Sequence, residues 1–269
     1  MVRSRWAVIP VNSSSHSVFG KAELLSTKVA VVIPSYNERG NLAKLLPAVL
    51  AEISSTSMNG VVVVVDDNSP DMTADLVTET QKKYQNLLLF KRPLKSGLGS
   101  AYIDAFRRLT SDPQYSVFIQ MDADLSHPPS TIKDLVSLVA DGQDVVIASR
   151  YVKEGGSTGW SWLRRVLSLG FNLLVRLVAG VGVHDSTSGY RALSRRAVVL
   201  LINHPLRSGG FAYQIESLTV FLRGRMSISE VPFLFRRRSQ GQSKISILEI
   251  PSLLKVLLHM VVATRFCLR

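Results

Sequence analysis

Two carboxylates one residue apart, Asp122 and Asp124, follow directly on the apolar run Val117-Phe118-Ile119. A strand ending in Asp-x-Asp presents hard oxygen ligands at the carboxyl edge of a sheet, where open α/β sheets bind ligands. Such oxygens suit Mg2+ or Mn2+, ions that usually share their coordination with a substrate's phosphates. A lone Asp-x-Asp is more often just an acidic loop. Here other polar clusters stand in equivalent places.

The run Val29-Ala30-Val31-Val32-Ile33 ends in Pro34-Ser35-Tyr36-Asn37-Glu38. Pro34 stops the ladder, and Tyr36 and Glu38 then offer a ring to stack on a base and a carboxylate to accept from its exocyclic nitrogen. The run Val61 to Val65 ends in Asp66-Asp67. One Asp can cap the next helix, which leaves the other to hold a base or a ribose. With Glu38 these acids crowd one edge, and their repulsion calls for a cation or a ligand. Lys95-Ser96-Gly97-Leu98-Gly99 looks like a phosphate loop but lacks the Walker spacing, so its glycines are expected to serve a tight turn. Arg150 follows a further apolar run, where its planar fork can grip a phosphate or carboxylate with two bonds. Arg164 and Ser168 are spaced i, i+4 and share a helix face. They stand near Trp160 and Trp162, rings that favour a membrane boundary. The stretch from Arg236 to Lys244 is a basic, Gly- and Ser-containing loop, suited to a lid that closes on phosphates with Arg238 and Lys244. A nucleic-acid patch is the competing reading, and the loop lacks interleaved aromatics for base stacking.

The elements that must carry these residues alternate. Strands are predicted at 29–33, 61–65, 87–90, 115–121 and 144–148, with helices at 41–53, 71–83, 98–109 and 131–140 between them. That rhythm predicts a doubly wound, mostly parallel sheet flanked by helices. After Arg150 it changes. Residues 160–181 and 245–266 are apolar and helical in character, 211–223 reads as a helix, and 229–235 reads as a strand. Neither apolar segment is a clean membrane span. Arg176 interrupts the first, and Glu249, Pro251 and Lys255 interrupt the second. Both are expected to lie in an interface.

The 269-residue chain is long enough for a full core, and its single Cys267 excludes a disulfide framework or a cysteine-rich zinc site. The net charge of +12 is lopsided: residues 1–149 sum to −1 and residues 150–269 to +13. In the second half the charges interrupt aliphatic runs, which favours an anionic lipid surface as partner and no nucleic acid. The expected domains are a disordered extension over 1–26, a catalytic domain over 27–244 and an amphipathic membrane-associating helix over 245–269. Within the catalytic domain, residues 151–183 would form an acceptor loop and an amphipathic helix.

In order, these segments resemble the family 2 glycosyltransferases, and among them the dolichol-phosphate (polyprenol-phosphate) mannose synthases. The resemblance runs from about residue 28 to 250. It rests on Val31-Val32-Ile33-Pro34-Ser35-Tyr36-Asn37-Glu38, Val65-Asp66-Asp67-Asn68-Ser69-Pro70-Asp71, Lys95-Ser96-Gly97-Leu98-Gly99 and Met121-Asp122-Ala123-Asp124-Leu125-Ser126-His127-Pro128-Pro129. Ser149-Arg150-Tyr151, Asp185-Ser186-Thr187-Ser188-Gly189-Tyr190 and Gly241-Gln242-Ser243-Lys244 complete it. It implies a GT-A-type, Rossmann-like fold that transfers mannose from GDP-mannose to a polyprenyl monophosphate, inverting, with Mg2+ or Mn2+. Pro34, Tyr36, Glu38, Val65 and Asp67 would line the guanosine site. Asp122, Ala123 and Asp124 would bind metal and diphosphate, with Ser126 as a further metal ligand. Relatives often carry Gln at that last position, and the shorter hydroxyl would reach the ion through water. Arg150, Arg238 and Lys244 would hold the donor phosphates, and Arg150, Arg164 and Ser168 would face the lipid phosphate. Many relatives carry C-terminal spanning helices; here the amphipathic segments 160–181 and 245–266 lead us to expect a peripheral enzyme on the cytoplasmic face of a membrane, the plasma membrane or the endoplasmic reticulum, with room for a separate membrane-anchoring protein. The alternative is a related transferase using UDP-glucose or UDP-N-acetylglucosamine, or a non-lipid acceptor.

Overall fold

The computed structural model describes residues 9–10, 28–56, 58–179, 182–206 and 212–236. Its strands are β1 (Ile9–Pro10), β2 (Lys28–Ser35), β3 (Asn59–Asp66), β4 (Leu87–Lys91), β5 (Tyr115–Gln120), β6 (Val145–Ser149), β7 (Gly156–Ser157), β8 (Arg191–Ser194), β9 (Ile228–Pro232) and β10 (Leu234–Phe235). Its helices are α1 (Arg39–Ser55), α2 (Thr73–Gln81), α3 (Leu98–Thr110), α4 (Ile132–Ala140), α5 (Trp162–Ala179), α6 (Arg195–Ile202) and α7 (Ala212–Arg223), with a 3-10 turn over Pro129–Thr131 before α4. The first eight-stranded sheet runs β1-β9-β6-β8-β5-β2-β3-β4, and β10 and β7 form a separate parallel pair.

Side chains of one strand alternate between the two faces of the sheet. In β2, Ala30 and Val32 pack into the core shared with α3, α6 and α7, while Val29, Val31 and Ile33 pack into the core shared with α1 and α4. Both faces are covered, which is why the strands read as unbroken apolar runs.

Two features depart from the expected alternation. β8 runs antiparallel to both β5 and β6, in the middle of an otherwise parallel sheet. Its four residues are too short to give a period, and Arg191 at its start hides it. The helix after it, α6, is likewise absent from the predicted elements although it carries a local signal: Ser194 caps it, with the Oγ accepting from Ala197 N at 3.2 Å. The strand expected over 229–235 is two strands, because the chain leaves the first sheet after Pro232 and pairs with β7. Within the extension expected to be disordered, Ile9–Pro10 lie parallel to Ser229–Glu230. The rest of residues 1–26 and all of 245–269 lie outside the described residues.

Because β2, β3, β4, β5 and β6 are parallel through the sheet, their carboxyl ends share one edge. Tyr36, Asp67, Arg92, Asp122 and Arg150 all follow these ends.

Candidate active site

The Asp-x-Asp loop is held by its own backbone. Asp122 N–H donates to His127 Nδ1 at 3.0 Å, so that nitrogen carries a lone pair and the ring proton sits on Nε2, 3.8 Å from Asp122 Oδ2. The buried His127 ring stacks on Tyr190 with centroids 4.6 Å apart. Asp124 is buried, and its Oδ1 accepts from Ser126 N at 3.0 Å across Leu125, which takes a left-handed φ of 65°. A side chain in that conformation is held by its surroundings rather than preferred. Ser126 is fully buried, and its Oγ has no hydrogen-bond partner among the described residues. Ala123 is buried beside it.

This donor set fits a hard divalent ion: two carboxylates and an unsatisfied hydroxyl, all oxygen. Among the described residues no group of three or more His, Cys, Asp or Glu side chains converges on a ligand position. A metal here would therefore draw further ligands from a bound phosphate or water.

Neither Asp66 nor Asp67 caps the next helix, the role expected of one of them: α2 starts at Thr73 behind Met72, with no side-chain cap. Asp66 ties its own turn, accepting from Ser69 N at 3.0 Å and Ser69 Oγ at 2.6 Å. Asp67 points to Arg92, with Nε 3.1 Å from Oδ1 and both side chains buried. Burial pushes the Asp67 carboxyl above the usual carboxylate range, and Arg92 pulls it back only in part. Arg92 is fixed in turn by donating to Ser100 Oγ at 2.8 Å and by Asp104 at 3.5 Å. Sequence reasoning missed Arg92. The available signal was a cation directly after an apolar strand and before Pro93.

Residues around the start of α2 satisfy the N–H groups that lead into α1. Asn37 N donates to Ser69 Oγ, Glu38 N to Thr73 Oγ1 and Arg39 N to Asp71 Oδ2, at 3.0 to 3.3 Å. Glu38 precedes the first helical residue and accepts from Asn41 Nδ2 at 2.7 Å. Lys95 Nζ stands 4.2 Å over the Tyr36 ring, and Pro34 lies in register with buried Val65. The acidic edge thus already meets two of the protein's own cations, Arg92 and Lys95. Gly97 opens α3 at φ 96°, and a Cβ added there would meet nothing within 4 Å, so it serves the turn.

The fork of Arg150, expected to grip a ligand with two bonds, has a partner within the chain. Its fork is spent on the fully buried Asp185, through Nε at 2.7 Å and Nη2 at 2.6 Å, and Nη2 also reaches Thr187 Oγ1 at 2.8 Å. That leaves Nη1 for a ligand. Burial works to lower the Arg150 pKa, but Asp185, with a smaller contribution from Asp122, keeps it above the ordinary arginine value. This guanidinium is therefore a permanent cation within electrostatic reach of the Asp-x-Asp loop. Gly189 lies against this loop: a Cβ there would come within 3.0 Å of Gln214 Nε2 and 3.7 Å of Asp122 Oδ1.

Arg164 and Ser168 do share a face of α5, and it is the inward one. Ser168 Oγ accepts from Tyr151 OH at 2.6 Å, and Arg164 lies 4.3 Å from the Trp160 ring centre. Asn172, one turn on, accepts from Ser186 N and Oγ at 2.8 and 2.7 Å. The outward face carries Leu163, Val166, Leu167, Leu173, Leu174 and Leu177, all exposed. Arg236 N donates to Ser126 O at 3.2 Å, tying the end of β10 to the Asp-x-Asp loop. Arg238 and Lys244 lie outside the described residues.

A mostly parallel sheet with an Asp-x-Asp loop at its carboxyl edge is the GT-A type of architecture. Crystal structures of glucosyl-3-phosphoglycerate synthase from Mycobacterium tuberculosis share the fold. One, in complex with Mn2+, UDP-glucose and phosphoglyceric acid, gives a TM-score of 0.64 at 17% identity and covers 91% of this chain and 81% of that one. Residues 30–200 match Glycosyl transferase family 2, and the chain belongs to that family and is a glycosyltransferase. It is 37% identical over 224 residues to a polyprenol monophosphomannose synthase of Mycolicibacterium smegmatis, covering 81% of each chain. It is 36% identical over 221 residues to a dolichol-phosphate mannosyltransferase of Pyrococcus furiosus, covering 81% of this chain and 59% of that protein.

Proposed function

We propose that this glycosyltransferase moves mannose from GDP-mannose to a polyprenyl monophosphate, with inversion and with Mg2+ or Mn2+. The names of the two relatives support the mannosyl donor group and the lipid phosphate acceptor. The observation that carries the reading is the orientation of α5: its polar residues Arg164, Ser168 and Asn172 face the site and its leucines face out. A helix built this way suits an amphiphilic acceptor, with the phosphate on one side and the chain in a lipid surface on the other.

The acceptor phosphate is already an anion at neutral pH and needs no general base. What it needs is alignment, and cations to offset its repulsion from the donor diphosphate. Arg150, through Nη1, and Arg164 supply the cations, with Ser168 as a further contact. Asp122 and Asp124, with Ser126, would hold the metal, whose chemistry is Lewis-acid stabilisation of the departing diphosphate. Tyr36, Glu38 and Asp67, with Pro34 and Val65 behind them, would receive the guanosine. A single displacement converts the α-linked donor into a β-linked product.

Among the described residues no helix is long and apolar enough to cross a membrane. We read the enzyme as peripheral, docked by the outward face of α5 on the cytoplasmic side of a membrane. The deciding experiment is incubation with labelled GDP-mannose, Mg2+ and a short polyprenyl phosphate, followed by organic extraction. Label in the organic phase is expected. Label that stays aqueous, together with thermal stabilisation by UDP-glucose rather than GDP-mannose, would sink the assignment.

A further inference from the structure

Trp160 stands between the two arginines. The Arg150 guanidinium lies 5.1 Å from the indole centre and that of Arg164 lies 4.3 Å from it, both within cation–π range. Arg150 is further enclosed by the rings of Tyr151 at 5.3 Å and Phe235 at 5.7 Å. Phe235 meets the Trp160 ring edge-on at 5.2 Å. The indole Nε1 is buried with no hydrogen-bond partner among the described residues. Ring contacts, not a hydrogen bond, therefore hold this side chain. Trp162, two positions on, is 76% exposed, so the two tryptophans belong to different surfaces.

We infer that Trp160 is a positioning residue that joins Arg150 and Arg164 into one binding site for the phosphomonoester of the acceptor; this rests on the reading above that both arginines face that phosphate. Arg150 is already fixed by Asp185, and a second guanidinium brought beside it is repelled; the Trp160 ring offsets that repulsion on the Arg164 side. Asp185 already offsets part of the Arg150 charge, and a second carboxylate between the two arginines would cancel the charge the phosphate needs. An aromatic face attracts both cations and leaves their charge intact. The acceptor then meets two arginines already placed, and does not bear the entropy of ordering them.

The test uses the full chain in detergent, so that docking to a bilayer plays no part, with GDP-mannose, Mg2+ and a short polyprenyl phosphate. Trp160→Leu is expected to raise the acceptor KM about tenfold, near 1.4 kcal/mol, with the donor KM within about twofold. Trp160→Phe keeps a ring and is expected to recover to within about threefold of the parent. Trp162→Leu should change neither KM. An acceptor KM that Trp160→Leu leaves alone, or a Phe variant no better than Leu, overturns the inference. If the Leu variant does not fold, fluorescence decides. Titration with the polyprenyl phosphate should change indole emission in Trp162→Phe and leave it unchanged in Trp160→Phe, and the reverse pattern overturns the inference. Failure of the underlying reading looks different: the unmodified chain would then transfer no sugar to the lipid and show no emission change.

Discussion

At the scale of single residues, the site is governed by groups that are buried together with their partners. Asp124 accepts from Ser126 N and so holds the turn, and in the proposed scheme the same carboxylate would also be a metal ligand. Asp124→Asn keeps the acceptor for the turn and removes the charge, so the melting temperature should stay close to the parent while transfer falls by about a thousandfold or more. Asp124→Ala should lose transfer as well, with some stability. Retained transfer in both, with any divalent ion, would refute the assignment of this loop. Asp67 makes a different prediction. Burial raises its carboxyl pKa and Arg92 opposes that rise. The ionised carboxylate is the form that accepts from a base, so GDP affinity should weaken as pH falls through a midpoint above the ordinary Asp range. Arg92→Gln removes the opposing cation and should move that midpoint to still higher pH. Calorimetric titration with GDP over a pH series that starts at the ordinary Asp pKa, about 3.9, and runs upward checks the direction. A midpoint that moves down on removing Arg92 contradicts the pairing.

At the scale of elements, α5 is amphipathic in the reverse sense to a core helix. Its buried stripe holds Ser168 and Asn172 with Phe171 and Val175, and its uncovered stripe is leucine and valine. Leu167 and Leu177 are 64% and 71% exposed, so charging them removes little folding free energy. Leu167→Asp with Leu177→Asp is expected to leave stability within about 0.5 kcal/mol per site and to abolish sedimentation with liposomes. Undiminished sedimentation would assign docking to another part of the chain. The neighbouring Asp185–Gly189 loop does the opposite job and turns polar groups inward. Glu230 of β9 accepts from Asp185 N at 2.9 Å and from His184 N at 2.8 Å. Asp185 so placed can take the fork of Arg150.

At the scale of the molecule, one reversed strand links these parts. β8 carries Arg191, fully buried, with its pKa pushed down to about 10 by burial. It donates to the carbonyls of Ser186, Ser188 and Gln214 and to Ser217 Oγ, fastening the loop before β8 to α7. Arg191→Met leaves those acceptors buried and unpaired, and should cost about 3–5 kcal/mol in urea unfolding. A loss under about 1 kcal/mol would mean that water replaces the guanidinium. The charge imbalance also acts at this scale. With +13 in residues 150–269 against −1 before them, binding to anionic liposomes should weaken several-fold between about 0.05 and 0.5 M NaCl. Binding indifferent to salt would leave only the apolar contribution.

The chain by itself determined the alternation of strands and helices and the edge on which the polar clusters gather. These are periodic, local properties: an apolar run covered on both faces looks the same wherever it sits in the sheet. The same local logic made Asp122 and Asp124 legible as a pair, because both come from one loop. Partners drawn from distant segments were a matter for the tertiary structure. Asp185 takes the Arg150 fork from 35 positions away, and Arg92 reaches Asp67 from the next strand. Helical spacing marks a stripe but not the direction it faces, and on α5 the stripe left uncovered is the apolar one. The loop before the reversed β8 gives Asn172 its partner Ser186, while Tyr151 and Trp160, from the loops after β6, meet Ser168 and Arg164.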